Sequence, residues 1–311
     1  MENINPKIAL VLGSGAARGL AHIGVLKVLE EAQIKPEIVV GTSMGALIAG
    51  GYAAGLSAKE MEDIACKTNW LRVAKLLMPR KLQRDGLIDG GRIEDFIIAL
   101  LGEQKIENLN TPFAAVATDL LSGEEVILQS GSLVKAIRAS ISLPFLFSPV
   151  KINGKLLADG AVTNPLPINV AREMGGEFVI AVQTTPAIDY HIRQINSGTM
   201  ITNRVKKAAK SANTFLKRVL DDLNNGFTKG QKHAQDKPQL SVTLGLRQNA
   251  IQVSTIMENM LLYYRLKDSP PDLLIKPDVD SFAFFNFTQG KEIIQAGEMA
   301  ARKAVKEFTI N

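Results

Sequence analysis

Residues 36–50 read PEIVVGTSMGALIAG, and this stretch decides how the rest of the chain is read. Pro36 breaks what precedes it, and the β-branched run that follows predicts a short buried strand. From residue 44 to 56 the chain is rich in Ala and Gly and predicts a helix suited to close packing. Between them stands Gly41-Thr42-Ser43-Met44-Gly45, a G-x-S-x-G pattern in the strand–turn–helix setting that the pattern needs. There Gly41 and Gly45 permit a sharp turn, which lifts the Ser43 hydroxyl above the sheet edge. The helix that follows aims its first N–H groups at any negative charge that develops there. The competing reading is a tight structural turn in which Ser43 only caps the helix. Residues 38–58 carry no charge and match a membrane span in length. Five glycines, Thr42, Ser43 and Ser57 fall within them, and their division into strand, turn and helix argues against a span.

Working outward, residues 7–12 (KIALVL) predict a strand, 20–32 a helix and 36–40 a second strand, a unit that closes with a right-handed crossover and parallel strands. Residues 57–109 look helical and more polar, with loops at 79–81 and 85–91. Further strands are expected at 113–118, 123–129, 155–158, 177–183 and 272–275. Helices are expected from Ser132, over 164–174 and over 290–308. Strands alternating with helices on near-continuous apolar runs imply an α/β fold, its mostly parallel sheet covered on both faces.

The chain of 311 residues is long enough for one large α/β domain, and its apolar and charged fractions are ordinary. One cysteine, Cys66, excludes an internal disulfide and a multi-cysteine metal site. Cys66 itself reads as a buried small apolar residue, and Trp70 with Phe282, Phe284, Phe285 and Phe287 as core. The net charge of +5 is uneven. Residues 190–240 hold ten Lys/Arg against three Asp, a net of +7, which leaves −2 for the remainder. A basic surface confined to one insertion does not suggest a nucleic-acid partner. Within it, 200–223 predict an amphipathic basic helix. Such a helix serves either peripheral contact with an anionic membrane or packing, including homodimer formation. The N-terminus lacks a basic segment ahead of an apolar stretch, so a cytoplasmic protein is expected, with contact at the inner membrane surface if the basic helix binds lipid.

Two more motifs bear on chemistry. Gly13-Ser14-Gly15-Ala16-Ala17-Arg18-Gly19 lies between a strand and a helix. It fails the dinucleotide pattern, which needs glycine at position 18, but a glycine-rich loop opening a helix can present N–H groups to an oxyanion. Asp159-Gly160-Ala161 follows a strand-like run, placing a carboxylate at a strand end; Asp85, Asp89 and Asp119 compete for the same role. A Ser–His–acid triad needs a histidine after the acid. Only His191 and His233 qualify, both in or beside the basic segment, while His22 follows the glycine loop.

In this order, GSGAARGLAHIGVL (13–26), GTSMG (41–45), FAAVATDLLSG (113–123), IRASISLPFLFSPV (137–150) and LADGAVTNPLPINVA (157–171) resemble the patatin-like phospholipase family. The likeness is to its small bacterial members, related to the catalytic domain of neuropathy target esterase. It implies a three-layer patatin-like α/β fold over a single domain of residues 1–311. The motifs fall in 7–185, a basic, partly helical insertion in 190–240, and a C-terminal strand and helices in 241–311 complete the domain. It further implies a serine esterase acting on acyl esters of phospholipids or lysophospholipids. Ser43 matches the nucleophile and Asp159 the general base of a Ser–Asp dyad that needs no metal or organic cofactor. Gly13, Ser14, Gly15, Ala16, Arg18 and Gly19 match the anion-hole loop. Ser14 and Ala16 stand where many members carry glycine, and Asp159-Gly160-Ala161 replaces the commoner DGG. A catalytically quiet lipid-binding or regulatory module on the same fold is the alternative.

Overall fold

The computed structural model describes residues 6–68, 70, 90–144, 146–186 and 246–310. Strands β1 (Ile8–Leu12) and β2 (Ile38–Thr42) lie parallel and are joined through α1 (Ala21–Glu31). From β2 the chain turns directly into α2 (Met44–Ala53) and then α3 (Ala58–Lys67). A reciprocal cap starts α3: the Glu60 N–H donates to the Ser57 side chain, and the Ser57 N–H donates to the Glu60 carboxylate. Helix α4 (Gly91–Leu101), β3 (Phe113–Asp119), β4 (Glu125–Leu128) and α5 (Leu133–Ser140) follow. Next come β5 (Val150–Ile152), β6 (Lys155–Asp159), α6 (Ile168–Glu173) and β7 (Phe178–Val182). The described chain ends with α7 (Leu246–Asp268), β8 (Leu273–Ile275) and α8 (Gly290–Ile310).

The eight strands form one sheet whose hydrogen-bonded order is β5-β6-β3-β2-β1-β7-β8, with β4 also on β3. The run β3-β2-β1-β7-β8 is parallel, and β4, β5 and β6 are antiparallel. Alternate residues of each central strand point to opposite faces. Leu10, Leu12 and Val39 join a core with α1 to α5 and α8, whereas Ala9, Val11, Ile38 and Val40 join a second core with α6 and α7. The expected layering, helices on both faces of a mostly parallel sheet, is therefore present. Helices α1 and α8 cross at backbone distance. A Cβ on Gly24 would lie 2.0 Å from the Ile294 carbonyl oxygen, and one on Gly297 2.0 Å from that of Ala21.

Several boundaries differ from expectation. The helix predicted over 164–174 is only Ile168–Glu173, because Asn164 and Leu166 each precede a proline, whose ring disfavours helical backbone at the residue before it. The hairpin β5–β6 was not expected. It turns at Asn153 (φ 48) and Gly154 (φ 80), the left-handed pair that a two-residue hairpin requires. Cys66 is exposed on α3 rather than buried. Phe282, Phe284 and Phe287 are half-buried, and Phe285 is exposed. The uncharged run 38–58 folds as strand, turn and helix, and among the described residues no helix is long and apolar enough to cross a membrane. The insertion 190–240 with its 200–223 stripe, His191, His233, Asp85 and Asp89 lie outside the described residues.

Candidate active site

Ser43 sits between β2 and α2 at φ 57, ψ −123, a left-handed backbone that few non-glycine residues adopt. Its surroundings hold it there. The Ser43 N–H donates to Ser140 Oγ at 2.9 Å, and the Ser140 hydroxyl donates to the Val116 carbonyl at 2.6 Å. One residue earlier, Thr42 Oγ1 donates to the Asn164 carbonyl at 2.8 Å. The elbow glycines supply room rather than dihedral freedom, since neither has positive φ. A Cβ on Gly45 would stand 2.0 Å from the Leu12 carbonyl oxygen, and one on Gly41 2.4 Å from that of Gly45. The turn is thus pressed onto the end of β1, and the unusual dihedral falls on the serine itself.

Strand register explains how Asp159 reaches it. Residues 115–118 of β3 pair with β4, so β2, paired at 113–116, and β6, paired at 117–119, must share the opposite edge. β2 runs parallel to β3 and β6 antiparallel, so their C-terminal ends meet head to head beside Val116 and Ala117. Ser43 Oγ donates to Asp159 Oδ2 at 2.7 Å. Asp159 Oδ1 accepts the Ala161 N–H at 2.9 Å. Its own N–H donates to the Ser142 carbonyl at 2.9 Å, and Thr118 Oγ1 donates to its carbonyl at 3.0 Å. Only the Ala161 backbone is used, so alanine in place of a second glycine costs nothing here. Gly160 is different: its Cβ would lie 2.3 Å from the Val116 carbonyl oxygen. Asp159 is 1% exposed. Burial pushes its pKa up to about 7, outweighing the two hydrogen bonds to its carboxylate, and the Glu258 charge adds to the rise.

In the glycine loop, several N–H groups are already spent. Gly13 donates to Val182 O, Ser14 to Pro165 O, Ala17 to Phe284 O and Arg18 to Gly15 O. Among the described residues the N–H groups of Gly15 and Ala16 have no hydrogen-bond partner. The six positions read from sequence as anion-binding therefore narrow to two as backbone donors. Ala16 has φ 49, which explains why glycine suits that position. The buried Arg18 side chain faces the C-terminal region: Nε donates to Phe282 O at 2.8 Å, and the guanidinium stands 5.9 Å from the Phe284 ring centre. Gly19 makes room for Met44, since its Cβ would lie 2.5 Å from Met44 Cγ. His22 is fully buried and its Nε2–H donates to Gly13 O at 2.8 Å, with Nδ1 unpartnered among the described residues. Burial lowers its pKa to about 4, so it is a neutral brace for the loop. Asp119, a competitor for the acid role, accepts from the Leu121 and Leu156 N–H groups and the Ser122 hydroxyl, as a turn carboxylate does.

Sequence reading assigned no role to Ser140, Ser142 or Arg138. Buried Arg138 bonds the Ser142 hydroxyl and the carbonyls of Gly90 and Ser148, fixing the segment that holds both Ser43 and Asp159. The signal was an arginine and two serines, Arg138-Ala139-Ser140-Ile141-Ser142, interrupting an apolar helix. Glu258 on α7 was also missed. Ser14 Oγ and, at 2.8 Å, Thr185 Oγ1 donate to its Oε1. Burial raises its pKa, against those hydrogen bonds and the charge of Arg18. Nothing near Glu258 in sequence marks it, because the loop it touches is over 200 residues away. Among the described residues no group of three His, Cys, Asp or Glu side chains is placed to hold a metal.

The chain is 30% identical over 341 aligned positions to an uncharacterized NTE family protein of Mycobacterium tuberculosis (strain ATCC 25618 / H37Rv), covering 99% of this chain and 93% of that one. It is 36% identical over 181 positions to the patatin-like phospholipase domain-containing protein 6 of Mus musculus, covering 56% of this chain but 13% of that protein. The crystal structure of VipD from Legionella pneumophila aligns at a TM-score of 0.47 and 14% identity, over 96% of this chain and 66% of that one. The model of the patatin-like phospholipase family matches residues 10–172, which contain the elbow, the glycine loop and Asp159. The chain belongs to the patatin-like phospholipase family.

Proposed function

We propose that the protein is a serine esterase that cleaves acyl esters of phospholipids or lysophospholipids through Ser43 and Asp159. The carrying observation is the 2.7 Å hydrogen bond from Ser43 Oγ, on a strained elbow, to a buried carboxylate whose pKa is raised to about 7. A carboxylate of that basicity accepts a proton from the serine more readily than an exposed aspartate does. In this reading Asp159 takes the hydroxyl proton as Oγ attacks the ester carbonyl. The oxyanion is met by the free N–H groups of Gly15 and Ala16. The proton passes from Asp159 to the departing alcohol, leaving an acyl-enzyme on Ser43. Asp159 then takes a proton from water as the water attacks the acyl carbonyl, and returns it to Ser43 Oγ when the fatty acid leaves.

The test is labelling by a fluorophosphonate probe together with lipid product analysis, for the wild type and for Ser43→Ala. Stoichiometric labelling and lysolipid or fatty-acid release, both lost in the variant, support the reading. A folded wild type that neither labels nor hydrolyses would instead be the lipid-binding module.

A further inference from the structure

The two free N–H groups of the glycine loop belong to peptides that are held at their other ends. A trans peptide is planar and its N–H points away from its carbonyl, so fixing the carbonyl aims the N–H. The Ala16 N–H shares a peptide with the Gly15 carbonyl, which accepts the Arg18 N–H at 3.1 Å within the loop itself. The Gly15 N–H shares one with the Ser14 carbonyl, whose partner comes from elsewhere. Thr184, two residues past the end of β7, donates from Oγ1 to Ser14 O at 2.8 Å. It arrives there because β7 lies parallel to β1 with Val182 opposite Leu12, so the chain after β7 runs beside the loop. Thr184 is fully buried, and a Cβ on Gly15 would lie 2.2 Å from its Oγ1, which is why position 15 needs glycine. Ser14 is gripped from a second direction. Its hydroxyl donates to Oε1 of Glu258 on α7, and the Thr185 hydroxyl donates to the same oxygen at 2.8 Å. A carboxyl oxygen accepts in either charge state, so this grip does not depend on ionisation. Helix α7 also packs on the turn Gly160–Val162 that follows Asp159, and so meets both halves of the candidate site.

We propose that Thr184 and Glu258 are positioning residues of the anion hole: holding Ser14 by its carbonyl and by its hydroxyl, they aim the Gly15 N–H at the oxyanion formed over Ser43. This rests on the esterase reading above. Both residues act through Ser14 and neither touches the substrate. They keep the Ser14–Gly15 peptide from turning, so its N–H is aligned before negative charge develops. Both lie beyond residue 172, where the family match ends, and the hydroxyl they hold stands where many members carry glycine.

Thr184→Val keeps the shape and removes the hydroxyl, whereas Thr184→Ser keeps the hydroxyl. With p-nitrophenyl butyrate, kcat of Thr184→Val should fall on the order of ten- to a hundred-fold, below the ~10²–10³ that outright loss of a donor costs, with KM little changed. Thr184→Ser should recover most of that rate. Glu258→Ala should lower kcat in the same way, and Glu258→Gln, which keeps an accepting oxygen, should not. Glu258→Ala added to Ser14→Ala should cost little more than Ser14→Ala alone, because both remove one contact. The grip is also read without turnover. Labelling serine carbonyls with 13C and glycine amides with 15N selects four amides, those of Gly15, Gly123, Gly131 and Gly198. Ser14→Ala deletes the Gly15 signal and so assigns it. Thr184→Val should move that signal, and Thr184→Ser should return it towards its wild-type position. If Glu258→Ala or Thr184→Val does not fold, Glu258→Asp, one methylene short of Ser14, should lose kcat where Glu258→Gln keeps it. Folded variants with wild-type kcat, additive losses in the Ser14–Glu258 pair, or a Gly15 signal indifferent to Thr184→Val overturn the proposal while Ser43-dependent hydrolysis stands. A wild type that neither labels nor hydrolyses, with a Gly15 signal that still answers to Thr184→Val, leaves the grip standing and removes the esterase reading instead.

Discussion

Ser43 carries the backbone strain that elbow glycines are commonly assumed to carry. At φ 57 its Cβ crowds the backbone, at a cost of order 1–3 kcal/mol. Ser43→Ala should therefore keep the fold while losing probe labelling and ester hydrolysis. Ser43→Gly should lose activity equally but be more stable than Ser43→Ala by about 1 kcal/mol in denaturant titration. Asp159 makes a second residue-level prediction. In the proposed mechanism it must be ionised to act as a base, so hydrolysis should rise with pH through about 7. Its effect on stability has the opposite sign. An acid whose pKa is 3.8 unfolded and about 7 folded binds more protons when native, so its contribution falls as pH rises between those values. At pH 8 the cost of the buried charge is on the order of 4 kcal/mol, so Asp159→Asn should be more stable than wild type there and lose that advantage near pH 4. His22 runs the other way: with a pKa near 4 against 6.5 unfolded, it favours the native state above pH 6.5 and withdraws that support as pH falls towards 4. Denaturant midpoints of the single variants across pH 4 to 8 separate the two.

At the scale of elements, the site exists because β2 and β6 arrive at one edge of β3 from opposite directions. Helix α5 seals the junction. Ser140 holds the Ser43 N–H and the Val116 carbonyl, while Ser142, fixed by Arg138, receives the Asp159 N–H. Ser140→Ala would leave a buried N–H and a buried carbonyl without their hydroxyl partner, each at about 1–3 kcal/mol. We expect a loss of stability of that order and a fall in kcat of ten-fold or more with a smaller change in KM, since Ser140 is fully buried behind the elbow and acts on the Ser43 backbone. Thermal melting and steady-state kinetics on a soluble ester check both. Equal losses in KM and kcat would place Ser140 in substrate binding instead.

At the scale of the molecule, the family match ends at residue 172, but the sheet and its cover do not. β8 pairs with β7, and α8 lies on α1 through Gly24 and Gly297, flanked by the Lys27–Glu298 ion pair at 2.8 Å. Arg18 and Ala17 of the glycine loop are tied to Phe282 and Phe284 just before α8. A chain cut after residue 186 should therefore fail to fold, because it exposes the α1 face that buries Ile293 and Ile294 and leaves the loop without its anchor. Gly297→Val should have nearly the same effect, since its Cβ meets backbone that has nowhere to move. Soluble yield and far-UV circular dichroism of both, against the full chain, are the measurements.

The sequence by itself determined the elements whose signals are local. The apolar runs of β1, β2, β3 and β7, the turn chemistry at Gly41–Gly45 and Asp159–Gly160, and the caps at Ser57 and Ser132 depend on residues within a few positions of each other. Ser43 was legible for that reason, as a short pattern at a strand end; Asp159 stood at a strand end too, but beside Asp85, Asp89 and Asp119, and only the resemblance to the family singled it out. What it could not contain was the pairing of those ends, which depends on β4 occupying one edge of β3 and leaving the other to be shared. Nor could it show which N–H groups of the glycine loop remain free, because their partners, Val182, Pro165 and Phe284, come from distant segments. Arg18 illustrates the difference: read locally it offered charge to an anion, but the fold uses it to hold the C-terminal loop. Glu258 was invisible for the same reason, since it gains its meaning only from Ser14 and Thr185, which tertiary packing brings to it.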